Sequence, residues 1–291
     1  MKRIRFLLVG PGNVGISLGA AWVRRGHRCV GVEGGNPRSR SRAAALLDAP
    51  GASRRKGADP PEFDLLLLAV PDGAIASAAR SWSARCPWKG RVVLHTSGAL
   101  GSSILEPLRR RGASAASLHP LISLPRPALD RAAFVGIYFG IEGDRKASRL
   151  ARRLGRDAGG RTLEIGAAGK PLYHLGACLS SGYLLALIDA AVTRIPAGPA
   201  DRAHLRKAML ALSESTLRSA RERGLERALT GPILRGDVGT LRIHLRALRG
   251  SPPEWRSLHR ALAFHLLEVA VRARRLPRAH AARIRSLLAG R

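Results

Sequence analysis

The sequence predicts an α/β chain in two domains: a doubly wound, mostly parallel sheet over residues 1–166, and an all-helical domain over 167–291. Three observations carry this reading. A short apolar run at 4–9 leads into Gly10-Pro11-Gly12-Asn13-Val14-Gly15, and a helical pattern follows at 13–25. Strand-like runs then alternate with helical stretches as far as residue 165, the grammar of a parallel sheet with helices on both faces. Past Gly166-Ala167-Ala168-Gly169 no convincing strand remains.

Each element has its own local reason. The first helix carries Val14, Leu18, Ala21 and Trp22 on one side and is stopped by Gly26. Residues 28–33 read as a second strand. After the loop Gly34-Gly35-Asn36-Pro37, residues 38–47 read as a helix, and a weak third strand is placed at 52–54. The unbroken apolar run at 65–70 reads as a strand buried on both faces, with Asp72 as the N-cap of the helix after it. Further strands are expected at 91–96, 114–118, 134–141 and 161–165, with a helix at 144–158. In the helical domain a single long helix is expected over 171–195, opened by Pro171 and stopped by Pro196. Others follow at 201–223, at 238–249 with Asp237 as N-cap, and from a capping box at Ser251-Pro252-Pro253-Glu254 to about residue 275. A short last helix lies beyond Pro277.

Composition narrows the function. Hydrophobic residues make up 45% of the 291, enough for a packed core. The formal net charge is +30, from 50 basic and 20 acidic residues. Nearly all the basic residues are Arg, scattered through every segment, with Lys only at 2, 56, 89, 146, 170 and 207. That dispersal and an aromatic content of 4% argue against a nucleic-acid surface, which needs clustered charge and stacking platforms. An anionic small ligand suits the charge. Cys29, Cys86 and Cys178 are odd in number and form no C-x-x-C, so neither a disulfide framework nor a zinc site is expected. His95, His119 and His244 lack metal-ligand spacing and carboxylate partners, and no metal is expected. No stretch is read as reaching the ~18 apolar residues of a membrane span, and a cytoplasmic protein with no membrane or nucleic-acid partner is the expectation.

The chemistry is expected outside the carboxyl ends of the strands. In a strand–turn–helix setting Gly10 permits the tight turn, Gly12 lets a pyrophosphate approach, and Gly15 lets the helix pack on the strand. Free N–H groups at the helix start favour phosphate, and Pro11, Asn13 and Val14 complete that contact. Val70-Pro71-Asp72 and Thr96-Ser97 fall at the ends of later strands, where they can contact the cofactor. Glu33 lies eighteen residues after Gly15, the place of a carboxylate on a ribose 2′-hydroxyl, which favours NAD. Arg38 and Ser39 follow directly and suit a 2′-phosphate, and the balance favours NADP. Lys170 stands at a helix start, where the dipole opposes its charge, and His174 is one turn on. Such a pair can protonate or polarise a carbonyl that receives a hydride. Ser181 lies further along the same pattern. Arg235, Asp237, Thr240 and His244 surround the start of a later helix; Arg235 can clamp a carboxylate, and Asp237 is equally a plain cap. His119, before Pro120, is a turn residue first and a substrate contact second.

The glycine turn, Ala69-Val70-Pro71-Asp72, His95-Thr96-Ser97-Gly98, His119-Pro120-Leu121, Lys170-Pro171-Leu172-Tyr173-His174 and the stretch from Ala228 through Thr230-Gly231-Pro232 to Arg235-Gly236-Asp237 resemble, in this order, one bacterial group. These are Rossmann-like candidate oxidoreductases with a C-terminal helical domain of unknown function. The architecture is similar to that of pyrroline-5-carboxylate reductase, ketopantoate reductase and the 3-hydroxyisobutyrate dehydrogenases. The resemblance implies hydride transfer and a homodimer whose helical domains complete each other's sites. The chain departs from the group at Gly182, where Asn is usual, and in the extra Gly34-Gly35 of the second-strand loop. Together these readings give an NAD(P)-dependent oxidoreductase, NADP favoured, acting on a carbonyl or imine of a small acid. Lys170 and His174 are its catalytic pair, and His119, Ser181, Arg235, Asp237, Thr240 and His244 hold the substrate. The alternatives are a non-catalytic dinucleotide sensor or scaffold, or an Arg-driven nucleic-acid binder.

Overall fold

A computed structural model describes residues 3–50, 59–130 and 132–290, so the strand expected at 52–54 lies outside the described residues. The chain divides into two compact units, Met1–Leu184 and Leu185–Arg291.

The first unit is a seven-stranded sheet with helices on both faces. Its elements run β1 Arg5–Val9, α1 Asn13–Arg24, β2 Arg28–Glu33, α2 Pro37–Leu46, β3 Leu65–Leu68, α3 Asp72–Ser83, β4 Val92–His95, α4 Glu106–Arg109, β5 Ser114–Pro120, β6 Tyr138–Gly143, α5 Arg145–Asp157, β7 Arg161–Glu164 and α6 Lys170–Leu179. The strand order is β2-β1-β3-β4-β5-β6-β7. Among the described residues only the β5–β6 pair is antiparallel. The register Val9↔Leu68 and Leu68↔His95, with His95↔Ser117 beyond, brings the carboxyl ends of four strands to one edge.

Period-two alternation sorts the strand residues into two cores. Phe6, Leu8, Leu65, Leu67 and Leu94 pack on α1, α2 and α5. Leu7, Val9, Leu66, Leu68 and Val93 pack on α3 and α4. Trp22 anchors the first core. It is fully buried, meets Phe6 edge-to-face at 5.4 Å, and its indole N–H donates to the Leu154 carbonyl at 3.0 Å, tying α1 to α5.

The helix expected over 171–195 is broken. α6 ends at Leu179, and α7 spans Gly182–Arg194. Between them, Ser181 Oγ donates to the Ala177 carbonyl at 2.7 Å, and back-bonding beside a glycine is a recognised cause of a helix bend. The grammar changes after β7, as read, yet α6 belongs to the sheet unit. The apolar content here also exceeds expectation: residues 167–194 hold an 18-residue window of mean hydropathy 1.7 that is only 6% buried. Two caps differ as well. Pro71, not Asp72, takes the N-cap position of α3. The helix Pro253–Arg272 starts without a side-chain cap, so its capping box does not form. Residues 132–136 are a turn, and β6 starts only at Tyr138 rather than at 134.

In the second unit, after α7, come α8 Pro199–Arg223, α9 Leu225–Ala228, α10 Pro232–Arg235, α11 Val238–Ala247, α12 Pro253–Arg272 and α13 Arg278–Ala289. Its core joins Ile233, Leu241, Leu267, Ala270, Ile284 and Leu288. The 25-residue α8 buries none of its residues.

Replacing Trp22 by Ala leaves a cavity between β1, α1 and α5 and removes the side-chain bond that links α1 to the Leu154 carbonyl. The unfolding free energy, measured by denaturant titration, is expected to fall by about 3–5 kcal/mol; an unchanged midpoint would show that this contact does not hold the helices together.

Candidate functional site

The glycine turn has the geometry a phosphate cradle requires. Gly10 sits at φ +97°, where a Cβ would lie 2.5 Å from the Ala69 carbonyl oxygen. A Cβ at Gly15 would lie 2.6 Å from the Gly10 carbonyl oxygen. A Cβ at Gly12, by contrast, meets nothing within 4 Å: the backbone there faces open space. α1 starts at that point with no side-chain cap and no acidic residue in its first turn, so its N–H groups are available to an anion. Asn13 does not face that space alone; its amide donates to the Leu124 carbonyl at 2.9 Å. Val14 packs at the edge of the first core and Val70 at the edge of the second.

Glu33 is engaged elsewhere. Arg85 grips its carboxylate with two bonds of 2.5 and 3.0 Å, and the same guanidinium lies 4.0 Å over the Trp82 ring. Next to the glycine turn, Pro11, Asn13, Ile16, Asn36, Arg38, Ser39, Arg42 and Pro127 line a cavity of about 270 Å³. Asn36 caps α2 by accepting from the Ser39 N–H at 2.8 Å. Arg38, Ser39 and Arg42 thus surround a helix start, a setting that favours a dianion.

Further along the same sheet edge lies a cluster of titratable groups. Lys170, first residue of α6, is completely buried. Its ammonium donates to the Ser97 carbonyl at 2.9 Å and to Ser117 Oγ at 3.1 Å. Burial, opposed by the Glu142 and Asp72 carboxylates, lowers its pKa to about 8; burial, rather than the helix dipole, is the main cause. Asp72 accepts from Ser97 Oγ at 2.8 Å, and Thr96 N–H from its strand end donates to the Leu68 carbonyl. His119 Nδ1 lies 2.9 Å from Tyr173 Oη, and its ring meets those of Tyr173 and His174 edge-to-face at 5.6 and 5.7 Å. Burial first, then the charges of Lys170 and His174, push His119 down to about 4. His95, buried beneath with Nδ1 accepting from the Ser97 N–H, is pushed down to about 3 for the same leading reason.

Lys170, His174, Ser97, Asp72 and His119 are therefore brought together in the sheet unit. Ser181 is exposed at the helix break. In the second unit Arg235 is exposed at the end of α10. Asp237 caps α11, its carboxylate accepting from the Thr240 N–H at 2.9 Å and hydroxyl at 2.6 Å, and these bonds lower its pKa. His244 is exposed on α11 with its ring 6.4 Å from that of His259. Sequence reasoning missed Tyr173, Ser117, Glu142 and Arg85 as members of this arrangement. Two of them carried a signal: Tyr173 is three residues after Lys170 on a helix, and Ser117 shares a strand face with His119.

No functionally curated protein matches the chain. Among solved structures, a candidate NADP oxidoreductase from Bacteroides fragilis superposes with a TM-score of 0.70 at 20% identity, over 91% of this chain and 98% of that one. A protein from Thermotoga maritima gives 0.68 at 22% identity, over 92% and 99%. A pyrroline-5-carboxylate reductase from Coxiella burnetii gives 0.58 at 12% identity, over 98% and 99%. These likenesses show the fold. Residues 1–120 match the model of the Rossmann-like domain, and residues 137–266 match that of DUF2520, a domain of unknown function. The chain therefore carries a Rossmann-like domain followed by a DUF2520 domain.

Proposed function

We propose that the chain is an NADP-dependent oxidoreductase that reduces the carbonyl or imine of a small acid in the cytoplasm. The observation that carries the reading is the buried Lys170 ammonium, with His119 and His174 beside it, on the same sheet edge as an open glycine cradle. The kinds of protein with this fold, an NADP oxidoreductase and a pyrroline-5-carboxylate reductase among them, support it. Gly10, Gly12 and Gly15 with the start of α1 fit a pyrophosphate. Arg38 and Ser39 fit a 2′-phosphate, and the pairing of Glu33 with Arg85 removes the free carboxylate that would oppose it. Three free cysteines fit a reducing compartment.

Bound NADPH would supply a hydride, two electrons, to the substrate carbon. The substrate's oxygen or nitrogen would then take a proton from the Lys170 ammonium or from His174, giving an alcohol or an amine. An ammonium has three donors; two of Lys170's are held by Ser97 and Ser117, which leaves one, with His174, to polarise the acceptor atom.

We read the assembly as a homodimer. Leu172, Leu175, Leu179, Tyr183 and Leu185 are exposed along α6 and α7, and an apolar stripe of that length is covered most simply by a second copy.

Calorimetry tests the cofactor. Gly12→Val places a side chain in the cradle and is expected to abolish dinucleotide binding. Arg38→Ala is expected to weaken NADPH by ~10–150-fold and leave NADH nearly unchanged. Tighter NADH than NADPH binding in the parent would overturn the NADP assignment.

Lys170→Met fills the same space without the charge. A turnover assay on a substrate found by screening small oxo and imino acids is expected to show kcat lowered by ~10²–10³, with cofactor affinity intact. Because burial brings Lys170 to about 8, parent turnover should fall as pH rises through that value and the cation is lost. A variant with parent kcat would place the chemistry elsewhere.

Sedimentation velocity tests the assembly. The parent is expected to be a dimer, and Leu172→Glu with Leu185→Glu a monomer; a parent that stays monomeric at tens of micromolar would overturn the dimer.

A further inference from the structure

Two features of the sequence, Glu33 and the extra Gly34-Gly35, stand awkwardly beside a site for a doubly charged phosphate. β2 ends at Glu33, whose carbonyl accepts from the Gly10 N–H at 2.9 Å. The residue is thereby fixed against the glycine cradle. Which way its carboxylate points follows from the sheet. Glu33 is paired with Val9, and residues paired across parallel strands share a face. Val9 packs in the second core with Trp82, on the side of α3. Ile16, which lines the cavity of Arg38, Ser39 and Arg42, belongs to the first core, on the other side.

On the α3 side the carboxylate meets a fork that is already in place. Arg85 donates to both of its oxygens, at 2.5 and 3.0 Å. The guanidinium rests 4.0 Å over the Trp82 ring. Trp82 is buried, meets Phe63 edge-to-face at 6.2 Å, and its carbonyl accepts from the Trp88 indole at 3.1 Å. The side chains of the ion pair are 28% and 30% exposed, so solvent screens them only in part. A planar fork on both oxygens fixes one geometry. The two glycines then carry the chain from Glu33 to α2. Gly34 and Gly35 have φ of +79° and +63°, a form that costs glycine little. A Cβ at Gly35 would lie 2.6 Å from Ser39 Oγ and 3.0 Å from Pro11 Cγ, so the loop packs on the cavity wall. Arg40 Nη1 donates to the Gly35 carbonyl at 2.8 Å and is engaged there, while Arg38 and Arg42 line the cavity.

We propose that Arg85 is a positioning residue that sets the choice of cofactor: by holding Glu33 on the α3 face it keeps a carboxylate off the ribose and leaves the cavity of Arg38, Ser39 and Arg42 to a 2′-phosphate. Arg85 touches no cofactor in this role. The Gly34-Gly35 loop completes the device, because it lets the strand end on one face of the sheet and α2 begin on the other. Without Arg85 the carboxylate is a free charge beside the cradle, able to accept from a 2′-hydroxyl and repelling a 2′-phosphate. This inference rests on the dinucleotide-binding part of the proposed function and is independent of the substrate and of the hydride step.

The test is calorimetry of NADPH and NADH on the full chain, read as the ratio of the two affinities, in the parent, Arg85→Met, Glu33→Gln and the double variant. Arg85→Met keeps an apolar stem on Trp82 and releases Glu33; the ratio is expected to fall by ~10-fold or more, with NADPH weakened and NADH equal or tighter. Glu33→Gln alone is expected to move the ratio by less than ~3-fold, because that carboxylate is already held away. The double variant is expected to return to within ~3-fold of the parent, the coupling that one shared contact requires. An unchanged ratio in Arg85→Met, or a double variant that stays low, would overturn the proposal. So would a tenfold shift in Glu33→Gln alone, which would show Glu33 on the ribose in the parent. Should Arg85→Met fail to fold, Arg85→Lys keeps the charge without the fork and is expected to lower the ratio by ~3–5-fold, with the same rescue by Glu33→Gln; no shift there overturns the proposal equally. A parent that binds neither dinucleotide would reject this proposal together with the reading it rests on, whereas tight NADPH binding with a ratio indifferent to Arg85 would reject this proposal alone. The expected shifts in a chain without turnover would support it and count only against the oxidoreductase reading.

Discussion

A buried ammonium held by two neutral oxygens organises this sheet edge. Removing a charge from water is costly unless hydrogen bonds replace the lost hydration. Lys170 donates one such bond to the carbonyl that ends the β4 turn and one to a hydroxyl on β5. The first residue of α6 is thereby pinned across two strands, and the helix can start in only one place. His174 and Tyr173, one turn on, inherit their positions from that anchor. The carboxylates nearest in charge, Asp72 and Glu142, are themselves occupied, Asp72 by Ser97 Oγ and Glu142 by the Ser102 N–H at 2.5 Å and hydroxyl at 2.8 Å. They moderate the ammonium through space without neutralising it by contact. The outcome is a lysine whose pKa falls to about 8 and, beside it, a His119 imidazole pushed down to about 4.

The same reasoning explains why three glycines in this region are not interchangeable with alanine. At Gly10 and Gly15 a Cβ would strike backbone, so the requirement is the fold's own. At Gly98 it would strike two imidazoles, so the requirement belongs to the cluster. Gly12 differs from all of them because a Cβ there meets no protein atom. Nothing in the packing of the described residues asks for glycine at that position; a ligand approaching the backbone would. Within one hexapeptide, steric accounting therefore separates glycines that build the turn from the glycine that leaves room.

Much of the fold was legible because it rests on local pattern. The apolar run at 65–68 and the alternating cores around β1 follow from strand periodicity, and Asp237 capping α11 follows from helix-end chemistry. What was not legible depended on partners distant in sequence. Glu33 stands at the spacing of a ribose ligand, but Arg85, fifty-two residues on, takes its carboxylate. Asp72 has the identity of a cap, but Ser97 is the better donor for it. The break at Ser180-Ser181 is a contest between helix propagation and a serine back-bond, which composition alone does not resolve. Lys170 and His174 could be paired from helical spacing; that the lysine would be wholly buried, and that Tyr173 and His119 would complete the group, required the strand register that brings Ser117 and His119 to the same edge.

The arginines answer a question the net charge raises. Fifty basic residues against twenty acidic ones leave most of them without a carboxylate, so their side chains must be accommodated in other ways. Arg91 lies over Phe63 at 4.5 Å and Arg194 over Trp255 at 5.5 Å. Arg24 donates to the Leu129 and Asp130 carbonyls, and Arg275 to those of Glu226 and Leu229. A planar guanidinium can stack on a ring and fork across two carbonyls, and an ammonium does neither well. Arginine in these roles acts as a tie for loops and helix ends, which is consistent with its dispersal along the chain. Lysine at 170 is the exception that fits the same logic: a compact point charge enters the narrow space between β4 and β5, and of the two cations only lysine gives up its proton near neutral pH when buried.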